Sequence, residues 1–314
     1  MNHLRFLRYV DEVARTGSVR QAAERLHVTP SAVLRRIQDL EDELGTPLFE
    51  RLPRGMRLTA AGEMFVHYIR VRAADLQQVL SRIEEFRGLR RGTVRLVASQ
   101  ALASRFLPQA VTAFRKSHPL VTFDVLIGNH AHAIRALRSL EADIALAFNV
   151  EPEADITRMH VIEQKLVAIM HESHPLACHT GLRMRDCLDY PVVLPHDDAG
   201  GRQLLNRLLS RSSARPDTVI ESNSFEFLRA CLRYDSFVSF RFTLGATSGG
   251  DDGIVSRKLE DRGAPRSEMV LAALRGRQLP VIAHAFAEHV KQCLAALGPP
   301  TLDLPPHNRT LGHA

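Results

Sequence analysis

The 314-residue chain has no run of about 18 apolar residues that could cross a bilayer. It also has no early apolar run of the kind that marks a secretory leader. The expectation is a protein that stays in the cytoplasm, without a membrane partner. A Gly-x-Ser-x-Gly elbow, a dinucleotide glycine fingerprint, a phosphate loop and a His-Glu-x-x-His helix are all missing. Each of these sets reactive or ligand-holding groups at the spacing its chemistry demands, so an enzyme is not expected. The four cysteines, Cys178, Cys187, Cys231 and Cys293, show no paired metal spacing. Reduced structural thiols are the default reading and a redox pair the alternative. His171, His174, Cys178 and His179 can ligate metals, but they surround Pro175 in an expected loop, whereas zinc needs four ligands converging tetrahedrally. A solvated turn is the better reading, and neither metal nor cofactor is expected.

What is present is ordinary in amount: 45% hydrophobic and 24% charged residues, with length for about two domains. The net charge of +6 favours anionic partners only weakly. Residues 1–62 hold ten arginines against eight acids, so any positive field must come from placement on one face.

Residues 18–45 supply such a face. Val19, Ala22, Ala23 and Leu26 share one side of a short helix, and the paired alanines let a second helix cross closely. Ser18 with Gln21 reads as a capping box. His27 and Val28 turn the chain, Thr29 is a natural N-cap and Pro30 a natural first helical residue. The second helix buries Val33, Ile37, Leu40 and Leu44, leaving Pro30, Ser31, Leu34, Arg35 and Gln38 as candidate readers of a major groove, with Ser18 and Thr29 at the two helix starts. The competing reading is a small helical hairpin with a solvated basic face. Gly45 ends the helix, and residues 46–59 make a two-stranded ribbon turning at Pro53-Arg54-Gly55. This is a winged helix-turn-helix with Arg54 and Arg57 on the wing, in reach of phosphates or the minor groove. Phe6, Leu7, Val10 and Val13 form a supporting helix.

Thr59 opens a long helix that meets no turn signal until Gly88. Its stripe of Val66, Ile69, Ala73, Leu76, Leu80 and Ile83 steps by three and four like a heptad seam, which predicts a partner helix from a second subunit. A long helix packed on its own domain is the alternative.

From Gly92 the pattern becomes strands alternating with helices, which argues a parallel α/β sheet. Strands are expected at 94–98, 121–127 and 144–148, then at 166–170, 192–194, 219–220 and 237–240, so two lobes. Met269 to Leu274 is a further apolar segment, with a helix after it from about 280 to 297. Open sheets bind ligands beyond the carboxyl ends of their strands. That rule selects Ser99-Gln100-Ala101, Phe148-Asn149, Pro195-His196 with Gly200-Gly201-Arg202, and Ser222-Asn223-Ser224. Ser99 and Ser224 also suit plain N-caps.

Residues 4–63 resemble the DNA-binding head of LysR-type transcriptional regulators. The resemblance is carried by Gly17-Ser18, Ala22-Ala23, Leu40-Glu41, Leu44-Gly45, Pro47-Leu48-Phe49 with Arg51, and Leu58-Thr59 with Gly62. It implies a dimerising linker helix, a sensor resembling periplasmic solute-binding proteins, and assembly as a homotetramer. The boundaries become 1–58 for the winged head, 59–91 for the linker helix and 92–298 for the effector domain. Lobe I then takes about 92–163 and 266–298, lobe II about 164–265, and 299–314 is a mobile Pro-rich tail. The resemblance also implies that Ser99 and Gln100 touch the effector. Two departures stand out. Leu34 replaces a frequent serine, so an apolar contact with a thymine methyl is its more plausible use. A glycine-rich turn is replaced by residues 233–241, which puts the cation of Arg241 near the cleft. Arg241 could hold a carboxylate bidentately, or pair with Asp235, Asp251 or Asp252.

The expected protein is a regulator that binds an inverted-repeat site on double-stranded DNA and answers a small-molecule effector, a carboxylate being the expected class. Its effector contacts are Ser99, Gln100, Ala101, Phe148, His196, Arg202, Ser224 and Arg241, and RNA polymerase is a further candidate partner. The competing reading is an enzyme or solute-binding module tethered to DNA.

Overall fold

The structure is a computed structural model that describes residues 2–53, 55–86, 91–196, 202–210, 216–246, 253–261 and 266–296. Arg54, Gly88, Gly200, Gly201, Asp251, Asp252, the segment 299–314 and the side chain of Phe6 lie outside the described residues. The chain divides into two units, Met1–Leu89 with Ser139–Glu141, and Arg90–Arg138 with Ala142–Ala314.

In the first unit, helices α1 (Asn2–Thr16), α2 (Val19–Leu26) and α3 (Pro30–Leu44) are bounded by local chemistry. The Ser18 hydroxyl accepts from the Gln21 N–H at 3.4 Å, but the N–H of Ser18 donates to Thr16 Oγ1 at 3.3 Å, not to the Gln21 side chain. The cap is therefore one arm of the expected box, with Thr16 supplying the other. His27 ends α2 in the left-handed region at φ 55°, Thr29 Oγ1 accepts from the Ala32 N–H at 3.3 Å, and Gly45 closes α3 at φ 67°.

Val10, Val13, Ala22, Ala23, Val33, Ile37, Leu48 and Phe49 form the core of the head. Leu40 is only half-buried and Leu44 is 42% exposed, because the last turn of α3 runs past this small core. Strands β1 (Phe49–Leu52) and β2 (Gly55–Leu58) pair antiparallel as the wing. Glu41 pins the wing's entry by accepting from the N–H groups of Leu48 and Phe49 at 2.6 and 3.0 Å. Gly55, at φ 129°, passes so close to Gly17 O that a Cβ would stand 2.5 Å from it.

Helix α4 (Ala60–Phe86) starts at Thr59, whose hydroxyl accepts from the Gly62 N–H at 3.0 Å. The expected seam divides along its length. Val66 and Ile69 close the head's own core, Ala73 and Ile83 are exposed, and Leu76 and Leu80 are half-buried. The exposed apolar stripe is instead Met64, Tyr68, Val79 and Ile83. Periodicity alone could not tell which residues the head would claim.

The second unit runs β3 (Gly92–Ser99), α5 (Gln100–Ala103), α6 (Phe106–Ser117), β4 (Val121–Gly128), α7 (His130–Arg138), β5 (Ile144–Phe148), β6 (Ile156–His171), β7 (Gly181–Leu182), α8 (Met184–Leu188), β8 (Val192–Pro195), α9 (Arg202–Leu209), β9 (Thr218–Ser222), α10 (Phe225–Cys231), β10 (Ser239–Phe242), β11 (Ile254–Leu259), β12 (Arg266–Leu274) and α11 (Val281–Ala296). Its main sheet has the order β4-β3-β5-β12-β6-β11-β7, with β10 also on β6, while β8 and β9 pair separately.

The sheet is mixed, not parallel throughout. β3 is parallel to β4 and β5, whereas β12 runs against both β5 and β6, and β10 and β11 run against β6. These antiparallel pairs join strands that are not consecutive in the chain, so alternation identifies the strands but not their pairing. The 16-residue β6 joins the two lobes. It pairs with β12 as far as Lys165 and with β10 from Leu166 onward. All five residues of β5 are buried, as a strand covered on both faces requires.

Candidate nucleic-acid interface and inter-lobe cleft

On the head, α3 presents Pro30, Ser31, Arg35 and Gln38 to solvent, with Leu34 half-buried beside them. The Thr29 and Ser18 hydroxyls are engaged as caps, so each marks a helix start and satisfies one of its free N–H groups. Arg36 pairs with Asp39 at 3.5 Å, while Arg35 has no ion-pair partner among the described residues. On the wing, Arg57 is exposed and bonded across the ribbon to Glu50 at 2.6 Å, a carboxylate neighbour that raises the arginine pKa.

In the second unit, the carboxyl ends of β3, β5 and β8 open on a narrow cavity of about 40 Å³ between the lobes. Ser99, Ala101, Phe148, Leu166, Pro195 and Leu205 line it, together with Phe225, Phe240, Arg241 and Phe242. Ser99 occupies the N-cap position of α5, yet its hydroxyl makes no cap hydrogen bond. Gln100 lies beside the cavity, where its Oε1 accepts from the Phe225 N–H at 3.4 Å and so ties α5 to α10.

Arg241 is 7% exposed. Its guanidinium lies 4.4 Å over the Phe225 ring, and its Nη2 donates to the Phe225 carbonyl, while Nε has no hydrogen-bond partner. Burial is the main force lowering its pKa, to about 10, so the group remains a cation at neutral pH. No ion pair joins it to Asp235 among the described residues.

Ser99, Ala101, Phe148 and Arg241 are thus brought together, and three other expected contacts are not. Arg202 is buried with its guanidinium engaged by Pro195 O, Asn206 Oδ1 and Glu221, which makes it a clamp of lobe II. Ser224 spends its hydroxyl on the Phe227 N–H as the N-cap of α10. His196 is exposed and does not line the cavity. The sequence reading did not select Leu166, Leu205, Phe225, Phe240 or Phe242, because an apolar residue that lines a cavity has the same pattern as one that fills a core. The histidine-rich turn is structural: His174 Nδ1 accepts from the Leu176 N–H at 3.1 Å, and Cys178 Sγ donates to Pro175 O.

No helix among the described residues is long and apolar enough to cross a membrane. Residues 4–63 match the bacterial regulatory helix-turn-helix protein, lysR family, and residues 87–295 match the LysR substrate binding domain. The transcriptional activator CmpR of Synechocystis sp. is 24% identical over 279 residues, covering 88% of this chain and 91% of that protein. The RuBisCO operon transcriptional regulator of Allochromatium vinosum is 31% identical over 211 residues, 66% of this chain and 68% of that one. The crystal structure of full-length CbnR with its target DNA superposes at a TM-score of 0.64 with 21% identity, over 92% of this chain and 99% of that chain, a likeness of fold. Two family matches that together span head and cleft settle the membership: this chain belongs to the LysR family of transcriptional regulators.

Proposed function

We propose that this regulator reads an inverted repeat through Ser31, Leu34, Arg35 and Gln38, with Ser18, Thr29 and Pro30 setting the approach of α3 and Arg54 and Arg57 holding the flanking backbone. The division of labour follows: 1–58 reads DNA, 59–91 pairs subunits, 92–298 senses, with lobe I about 92–163 and 266–298 and lobe II about 164–265, and 299–314 is a tail. Dimers assemble into tetramers in the cytoplasm and meet RNA polymerase at the promoter. The effector is a small organic anion, a carboxylate, that binds one assembly state better than the other and so shifts its population.

The observation that carries the DNA-reading assignment is the exposed polar face of α3, centred on Arg35 without an ion-pair partner among the described residues. Gel-shift affinities for the DNA upstream of its own gene and for a scrambled duplex, at one salt concentration, test it. Arg35→Ala should lose about 1–3 kcal/mol on the specific site alone, and Arg54→Ala should weaken both duplexes evenly. Unchanged specific binding by Arg35→Ala would refute the assignment.

A further inference from the structure

We infer that the cleft selects a small aromatic carboxylate whose acid group is held by Arg241, an inference that rests on reading this cleft as the effector site. The cavity is narrow, about 40 Å³, so a ligand that enters it must widen it, and its lining is mostly apolar. Of the described residues lining it, Ser99 and Arg241 alone bring a polar side chain, against four phenylalanines, Phe148, Phe225, Phe240 and Phe242. Phe148 and Phe242 come from different lobes and stack on each other at 5.5 Å and 23°, so each lobe brings an aromatic ring to the lining, against which a further ring can pack.

The charge is as specific as the lining. Arg241 is more than nine-tenths buried, its Nε has no partner, and no carboxylate among the described residues lies within ion-pair distance, although Glu226 acts on it at longer range and Arg229 opposes it. A buried cation without a counter-ion is costly, and an anion entering the cavity removes that cost. The guanidinium's parallel N–H donors match the two oxygens of a carboxylate. A phosphorylated sugar meets the charge but sets its hydroxyls against phenylalanine rings, where they stay unpaired. The aromatic acid satisfies both the charge and the rings.

Calorimetric titration of the full chain tests this with benzoate, benzamide, cyclohexanecarboxylate and glycerol phosphate as probes. Benzoate should bind at least about tenfold more tightly than each of the other three, and Arg241→Gln should lose that margin. Arg241→Lys, which keeps the charge without the fork, should fall between parent and Arg241→Gln; a melting curve and a gel shift on the upstream DNA confirm that each variant is folded. Equal binding of benzamide or cyclohexanecarboxylate, tighter binding of glycerol phosphate, parental behaviour of folded Arg241→Gln, or no binding by any probe overturns the inference. If DNA binding persists in those cases, the regulator reading stands. If glycerol phosphate binds through Arg241, the cleft remains the effector site and the aromatic class alone falls.

Discussion

Gln100, at the start of α5, accepts a hydrogen bond from the backbone N–H of Phe225, at the start of α10, across 3.4 Å. Both backbone polar groups of Phe225 are engaged, since its carbonyl accepts from Arg241. One residue therefore links the latch between the lobes to the buried cation of the cleft.

The latch is long and neutral, so its removal should cost stability little. Gln100→Ala should lower the unfolding free energy by about 1 kcal/mol or less while measurably changing the affinity of any cleft ligand. Thermal melts and a ligand titration on the same variant check this. A large loss of stability would make Gln100 a structural residue, not a latch.

Subunit pairing is predicted from the part of α4 that the head does not use. Val79→Asp with Ile83→Asp should give smaller particles of native helicity, because a charge buried in an interface costs several kcal/mol. Ile69→Asp should instead unfold the head, since Ile69 belongs to its core. Sedimentation velocity beside circular dichroism separates the two. An oligomer unchanged by the Val79 and Ile83 pair would remove this stripe from the interface.

The contrast explains how much was legible. The head's elements were readable because Thr29, Pro30 and Gly45 act within a turn of their own position. The limit of the seam is not legible, because Val66 and Ile69, which the head claims, repeat at the same helical spacing as the residues it leaves uncovered. In the sensor the strands were readable from their apolar runs, but the change of partner along β6 at Lys165 and Leu166 is a tertiary choice. Of the cleft, Ser99 and Arg241 stood out as polar groups at strand ends, whereas Phe225 and Phe242 looked like core. Arg202 looked like a ligand cation until Glu221 and Pro195 O were seen to hold it.

A pH response should arise from His174, which is 5% exposed and packed edge-on against Tyr190 with ring centroids 4.5 Å apart. Burial lowers its pKa below the usual 6.5, so the native ring stays neutral where the unfolded one takes up a proton. Stability is then intact above about pH 6.5 and falls as the pH drops below it. His174→Asn keeps an acceptor for the Leu176 N–H and should flatten this acid limb of the unfolding midpoint. An identical limb in parent and variant would clear His174 of the effect.

A ligand in the cleft is predicted to change the placement of α3 on DNA. A footprint on the DNA upstream of the gene, with and without a saturating cleft ligand, tests this most directly. Ligand at about 100 times its dissociation constant should raise stability by roughly 2.7 kcal/mol, visible as a melting shift. At that same concentration the protected region or its hypersensitive positions should change, and Arg241→Gln should lose both responses together. A ligand that raises the melting temperature through Arg241 yet leaves the footprint and the affinity for DNA unaltered would contradict it.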